Sequence, residues 1–250
     1  MKALITGASS GIGKDFATIL SKKYDELILV ARDKKRLDDV KNKLEKESNC
    51  KIKTITMDLS NSENCKKIFD DNKDIDLLIN NAGFGDCGYF NKTDLEKDIS
   101  MINTNVTALH MLTKLYLDDM IKNNKGHILN VASIAAFVPG PLMATYYATK
   151  SYVLKLSESI KEELKHQSAS VKISVLCPGP VKTNFEKTAN VEFQISKADS
   201  YKVANYAIKH LNRFYITPGL GVKFTRIISK IIPNSLISKF IYKAQKRRIR

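Results

Sequence analysis

Thr6-Gly7-Ala8-Ser9-Ser10-Gly11-Ile12-Gly13 follows directly on the apolar run Ala3-Leu4-Ile5, and a stretch of helical period begins at Ile12. Glycines at such a junction permit a tight turn and a close backbone approach, so that a pyrophosphate can rest on the N–H groups at the positive end of the helix. An ordinary strand-to-helix turn carries glycines too. What lies further along the chain decides between them.

Short apolar runs alternate with stretches of helix length throughout the body. The runs are Leu27 to Val30, Ile52 to Met57, Leu77 to Ile79, Ile128 to Val131 and Val171 to Leu176. Helices are expected near Ile12 to Lys22, Asp33 to Lys46, Ser62 to Asp71, Asn103 to Lys122, Thr145 to Lys165 and Lys197 to Asn212. Continuous apolar strands joined by helical crossovers predict an α/β fold, a doubly wound parallel sheet flanked by helices. With 250 residues, 43% of them hydrophobic, the chain can fill one such core without a second large domain.

The other motifs come in order. Asp58-Leu59 follows the third apolar run, and Asn80-Asn81-Ala82-Gly83 the fourth. Asn105 lies in a helical stretch, and Ser133 follows Asn130-Val131-Ala132. Tyr146-Tyr147-Ala148-Thr149-Lys150 and Pro178-Gly179-Pro180-Val181-Lys182-Thr183 complete the set. With the G-x-x-x-G-x-G spacing at Gly7, Gly11 and Gly13, this succession over roughly residues 2–183 resembles the short-chain dehydrogenase/reductase family. The resemblance implies a Rossmann-like domain over residues 1–219, followed by a basic helical extension over 220–250. It also implies a nicotinamide cofactor held by Gly7, Ser9, Ser10, Gly11, Ile12 and Gly13, with Asp58 and Leu59 at the adenine. Asn81, Ala82 and Gly83 would support the adenosine side, and Pro178, Gly179, Val181 and Thr183 the nicotinamide end. Asp58 is equally good turn chemistry.

The end of the second strand reads Ala31-Arg32, where an acidic residue would favour a free ribose hydroxyl. A guanidinium there suits a phosphate and points to NADP(H), unless Arg32 is simply a solvated surface residue. Asp33 follows directly, and as an acidic residue it opposes a phosphate there, though it reads equally as the cap of the next helix.

Tyr146 and Lys150 stand four apart in a helical stretch and so share a face. A free phenol titrates near ~10; an adjacent ammonium is expected to lower that value, making Tyr146 a usable general acid or base. Tyr147 has Ser151 at the same offset, so only Tyr146 completes Y-x-x-x-K. Ser133 would donate a hydrogen bond to a carbonyl oxygen as charge develops on it. By the resemblance alone, Lys150 would also bind the nicotinamide ribose and Asn105 would hold a water linking Lys150 to solvent. No metal is called for.

Segments Phe84 to Phe90, Ile134 to Thr145 and the stretch after Thr183 are expected to border the substrate. The second carries no charge, which suits an apolar carbonyl or secondary alcohol such as a steroid or acyl ketone, or else ordinary core packing. A non-enzymatic nucleotide sensor on the same fold is the competing reading; the joint presence of Asn105, Ser133, Tyr146 and Lys150 argues against it.

The net charge is +15, yet up to Asp199 there are 29 basic and 26 acidic residues, and beyond it 12 basic and no acidic ones. The excess belongs to the C-terminal fifth. There Phe224, Ile227, Ile228, Ile231 and Ile232, then Leu236, Ile237, Phe240 and Ile241, recur at helical spacing on either side of Pro233. Two amphipathic helices are predicted, either packed on the body or a partner subunit, or lying on an anionic lipid surface. Nucleic acid is disfavoured, because no recognised module or aromatic interleaving is present. Widely spaced cysteines, no leader-like N-terminus and no apolar run long enough to span a bilayer suit a cytoplasmic protein, with membrane contact only at its periphery. The resemblance implies a homodimer or homotetramer.

Overall fold

The computed structural model describes residues 1–191 and 196–246. The end of the Asn184 to Ile195 stretch and the basic residues Arg247, Arg248 and Arg250 lie outside the described residues. Seven strands form one sheet: β1 (Lys2–Thr6), β2 (Glu26–Ala31), β3 (Lys51–Thr56), β4 (Leu77–Asn80), β5 (His127–Val131), β6 (Lys172–Leu176) and β7 (Tyr215–Ile216). Their order is β3-β2-β1-β4-β5-β6-β7 and every pairing is parallel.

The helices are α1 (Gly11–Leu20), α2 (Lys34–Glu47), α3 (Ser62–Asp70), α4 (Leu95–Ile102), α5 (Leu109–Lys122), α6 (Ala144–His166), α7 (Phe185–Ala189), α8 (Ser200–Lys209), α9 (Leu220–Ile228) and α10 (Asn234–Lys246). They cover both faces of the sheet, and strand alternation divides the core accordingly. Ala3 and Ile5 pack with Phe16 of α1 and Ala204 of α8, whereas Leu4 packs with Tyr116 of α5 and Ile68 of α3. The connection reverses direction between β1 and β4, which opens a crevice at the carboxyl ends of these strands.

Four features escaped the sequence pattern, one of them the short α7 in the stretch after Thr183. α4 begins well before Asn103, capped by Asp94, whose side chain accepts from the Lys97 N–H; its apolar Leu95 and Ile99 are exposed, so no buried stripe marked it. Asn103–Ala108 is π-helical and joins α4 to α5, so Asn105 sits where the helix widens. β7 is only two residues long, too short for an alternating pattern to register. Asp33 does cap α2, accepting from the Arg36 N–H at 3.0 Å.

A buried polar bridge ties the sheet to the helices beside the crevice. Asn80 and Asn130 pair across β4 and β5, and Nδ2 of Asn80 donates to Oδ1 of Asn130 at 3.0 Å. Nδ2 of Asn130 donates in turn to Oγ of Ser157 in α6 at 3.1 Å. Asn130→Ala strands these partners in a dry interior and should cost about 2 to 4 kcal/mol. The urea midpoint should fall with the slope unchanged; an unaltered midpoint would show that the bridge contributes nothing.

Candidate active site

The crevice is a cleft of about 680 Å³. One wall is the turn between β1 and α1. Gly7 adopts φ +67°, a left-handed conformation that a side chain resists, and a Cβ on Gly13 would lie 2.2 Å from the Gly7 carbonyl oxygen. Asn81, after β4, locks the turn: its Nδ2 donates to the Thr6 and Gly7 carbonyls at 3.0 and 3.3 Å. Thr6 Oγ1 accepts from the N–H groups of Asn81 and Ala82, both at 3.0 Å. Ser10 precedes α1 in extended conformation and its side chain caps none of the first N–H groups.

Opposite the turn runs the segment after β6. Its entrance is fixed by the Ile134 N–H, which donates to the Pro178 carbonyl at 2.8 Å. Thr183 then comes so close over the turn that a Cβ on Gly11 would meet its Cγ2 at 2.8 Å. Gly7, Ser9, Ser10, Gly11, Ile12, Leu59, Ala82, Gly83, Gly179 and Val181 also face the cleft, so these residues expected at a cofactor come together from four separate segments. Gly13 and Asn105 are the exceptions. Gly13 lies behind the turn, and Asn105 is 1% exposed.

Arg32 lies at the far end of the cleft, more than half exposed and 3.8 Å from an Asp58 carboxylate oxygen. Asp58 lines the cleft, and its side chain accepts from the Ser60 N–H at 2.9 Å, the turn chemistry its sequence suggests. Arg36, one turn into α2, brings a second guanidinium to the same end. Its position three residues after the Asp33 cap was the available signal.

At the other end, β5 delivers Ser133, which caps a short 3-10 turn (Ile134–Phe137) by accepting from the Ala135 N–H at 3.1 Å. α6 delivers Tyr146 and Lys150. Ser133 hydrogen-bonds the Tyr146 phenol, and Lys150 Nζ lies 5.8 Å from the ring centroid of Tyr146 while donating to the Val131 carbonyl at 2.9 Å. The three side chains are therefore gathered as expected.

Their electrostatics differ from expectation. Burial pushes the Tyr146 phenol well above its ordinary range, opposed by the Ser133 hydrogen bond and reinforced by Tyr147. Burial also brings Lys150 down to about 8, so the ammonium is itself desolvated and does not set the phenol low. Asn105 is also differently engaged. Its amide donates to the Phe84 carbonyl at 2.8 Å and to Thr149 Oγ1 at 3.1 Å, and accepts from the Phe84 N–H at 3.0 Å. It holds the Phe84 backbone beside the cleft rather than facing the cleft with its side chain.

The segment Ile134 to Thr145 divides between its two readings. Val138 and Met143 line the cleft, whereas Ala136 and Leu142 pack inside. Phe84 and Phe185 add aromatic walls; the Phe185 ring lies 5.1 Å from that of Tyr146. The sequence left open whether α10 packs on the body, and Ile241, Ala244 and Gln245 line this cleft. Gln245 is 1% exposed, donates to Tyr147 Oη at 3.0 Å, and leaves its own amide oxygen buried without a partner.

An open glycine cradle and uncapped N–H groups at the start of α1 suit the pyrophosphate of a nicotinamide dinucleotide. Comparison with known proteins places the chain among nicotinamide-dependent folds. The very-long-chain 3-oxoacyl-CoA reductase of Rattus norvegicus is 30% identical over 249 residues, 96% of this chain and 76% of that protein. A short-chain dehydrogenase from Sphingobium yanoikuyae, solved in complex with NADPH, is 27% identical and superposes with a TM-score of 0.84 over 92% of each chain. A short-chain dehydrogenase/reductase from Burkholderia phymatum, solved with NAD, shares the fold at 24% identity, with a TM-score of 0.83 over 90% of this chain and 91% of that one. The sequence pattern of the family described as short chain dehydrogenase matches residues 1–193, and the chain belongs to that family of oxidoreductases.

Proposed function

We propose that the protein is an NADP(H)-dependent reductase of a carbonyl group on a long apolar molecule, such as a 3-oxoacyl thioester or a similarly hydrophobic ketone. The observation that carries this reading is the meeting of Ser133, Tyr146 and Lys150 in a cleft that is apolar around them and that carries two guanidinium groups elsewhere, Arg32 paired with Asp58 at 3.8 Å and Arg36 with Asp33 at 3.2 Å. A reduced nicotinamide, when bound, supplies hydride to the carbonyl carbon. Negative charge then develops on the carbonyl oxygen, where Ser133 Oγ and the Tyr146 hydroxyl converge as donors. The raised phenol suits this direction: Tyr146 is a protonated donor at neutral pH, and an alkoxide is basic enough to take its proton. Lys150, close to its own titration near neutrality, sits behind the phenol and can hold a ribose hydroxyl. Asn105 keeps the Phe84 edge of the cleft in place.

The very-long-chain 3-oxoacyl-CoA reductase relatives favour a lipid-like substrate, and Val138, Met143, Phe185 and Ile241 give the cleft apolar walls on which such a substrate can bury its surface. Exposed Leu95 and Ile99 of α4 and Tyr152 of α6 suit assembly through these helices, as a homodimer or homotetramer.

Tyr146→Phe should lower turnover of a long-chain ketone by about a hundredfold or more while leaving NADPH affinity within a few-fold. NADPH oxidation and cofactor titration read the two quantities, and a variant that retains wild-type turnover contradicts the assignment. Arg32 and Arg36 predict a cofactor preference as well. Wild-type protein should bind NADPH more tightly than NADH, and Arg32→Asp should weaken NADPH by about 10- to 100-fold with little change for NADH. Equal wild-type affinities for the two would remove the proposed NADP(H) specificity.

A further inference from the structure

α10 has two apolar faces, and only one of them is covered. Ile241 and Gln245, four residues apart, turn toward the cleft, and Tyr242 packs with Cys87, Leu142 and Met143 while its hydroxyl lies 3.0 Å from that of Tyr89. Leu236 and Phe240, also four apart, point outward, and Phe240 is 75% exposed. The same outward pattern continues from α9 and the turn after it. Val222 is buried among Val153, Val175 and Cys177, whereas Phe224, Ile227 and Ile231 are exposed, Ile231 at 75%. A soluble helix places its apolar stripe on one side, so a second bare stripe calls for something to cover it.

The charge around this stripe selects the occupant. Lys223, Lys230, Lys239 and Lys243 are all exposed among it, and no acidic residue occurs beyond Asp199. Apolar side chains ringed by lysines match the boundary of an anionic bilayer, where hydrocarbon burial and attraction to headgroups act together. Among the described residues no helix is long and apolar enough to cross a membrane. The stripe can therefore lie in the interface but not span it.

We infer that α9 and α10 dock this outward face on an anionic lipid surface, and that α10, as one wall of the cleft, thereby presents the substrate entrance to the membrane. Docking rests on the exposed stripe and the lysines around it; the value of the placement rests on the proposed apolar substrate. A substrate dissolved in the bilayer would then pass beneath α10 without crossing water.

Co-sedimentation of the full chain with vesicles of phosphatidylcholine, with and without about 30% phosphatidylserine, tests the docking. The chain should bind the anionic vesicles, and binding should weaken as salt is raised. The double variant Ile231→Ser/Phe240→Ser should bind at least about tenfold less. It should keep the wild-type melting temperature and NADPH affinity, since both side chains lie outside the packed core. Absence of binding to anionic vesicles, or undiminished binding by the variant, overturns the inference. So does a wild-type oligomer that the same substitutions dissociate, because the stripe would then be covered by a second copy. None of these readouts requires turnover, so failure of the substrate assignment leaves this result interpretable.

Discussion

The lock between the first and fourth strands governs the rest of the structure. The Asn81 side-chain amide donates to the Thr6 and Gly7 carbonyls, and the Thr6 hydroxyl accepts from the Asn81 and Ala82 N–H groups. These bonds satisfy backbone groups that a sharp turn would otherwise leave unpaired in the interior. They also hold open the point where the chain reverses its order across the sheet. Gly13 then packs against the Gly7 carbonyl with no room for a side chain, which fixes the start of α1 relative to β1.

From that point Ser133, Tyr146 and Lys150, the groups proposed to react, follow by short paths through the sheet. β5 lies beside β4 and ends two residues before Ser133, and the Asn80 to Asn130 to Ser157 bridge fastens α6 to the same strands. Tyr146 and Lys150 are thereby placed by packing over their whole helix rather than by local contacts. A phenol held this way is desolvated as well as oriented. Burial keeps it protonated, and a protonated phenol suits proton donation to a carbonyl oxygen gaining charge.

Much of this was legible in the sequence because it rests on backbone geometry and fixed spacing. The Thr6 to Gly13 stretch, the strand alternation and the Tyr146/Lys150 offset each impose a residue type at a position, and the structure puts these residues around one cleft. What could not be read depends on distance through space. The phenol's upward shift comes from the burial of Tyr146, and Lys150 is buried with it, so pairing by sequence offset overstated the ammonium's influence. The engagement of Asn105 with Phe84 requires the π-helical widening at Asn103–Ala108, which no periodicity announces. α4 and β7 were missed for lack of a buried stripe and of length respectively. The C-terminal helices were foreseen as amphipathic. That Gln245 and Ile241 would return to wall the cleft was not, because a helix with two apolar sides does not say in sequence which one meets the body.

The central claim is that this cleft carries hydride to a carbonyl and a proton from Tyr146 to its oxygen. Incubation of the protein with NADPH deuterated at the transferred position and a long-chain 3-oxoacyl thioester, followed by mass spectrometry of the product, tests it most directly. A hydroxyacyl product carrying one deuterium at the former carbonyl carbon, lost in Tyr146→Phe, is the predicted result. Tight NADPH binding with no deuterium delivered to that substrate or to any of a panel of apolar ketones would contradict it.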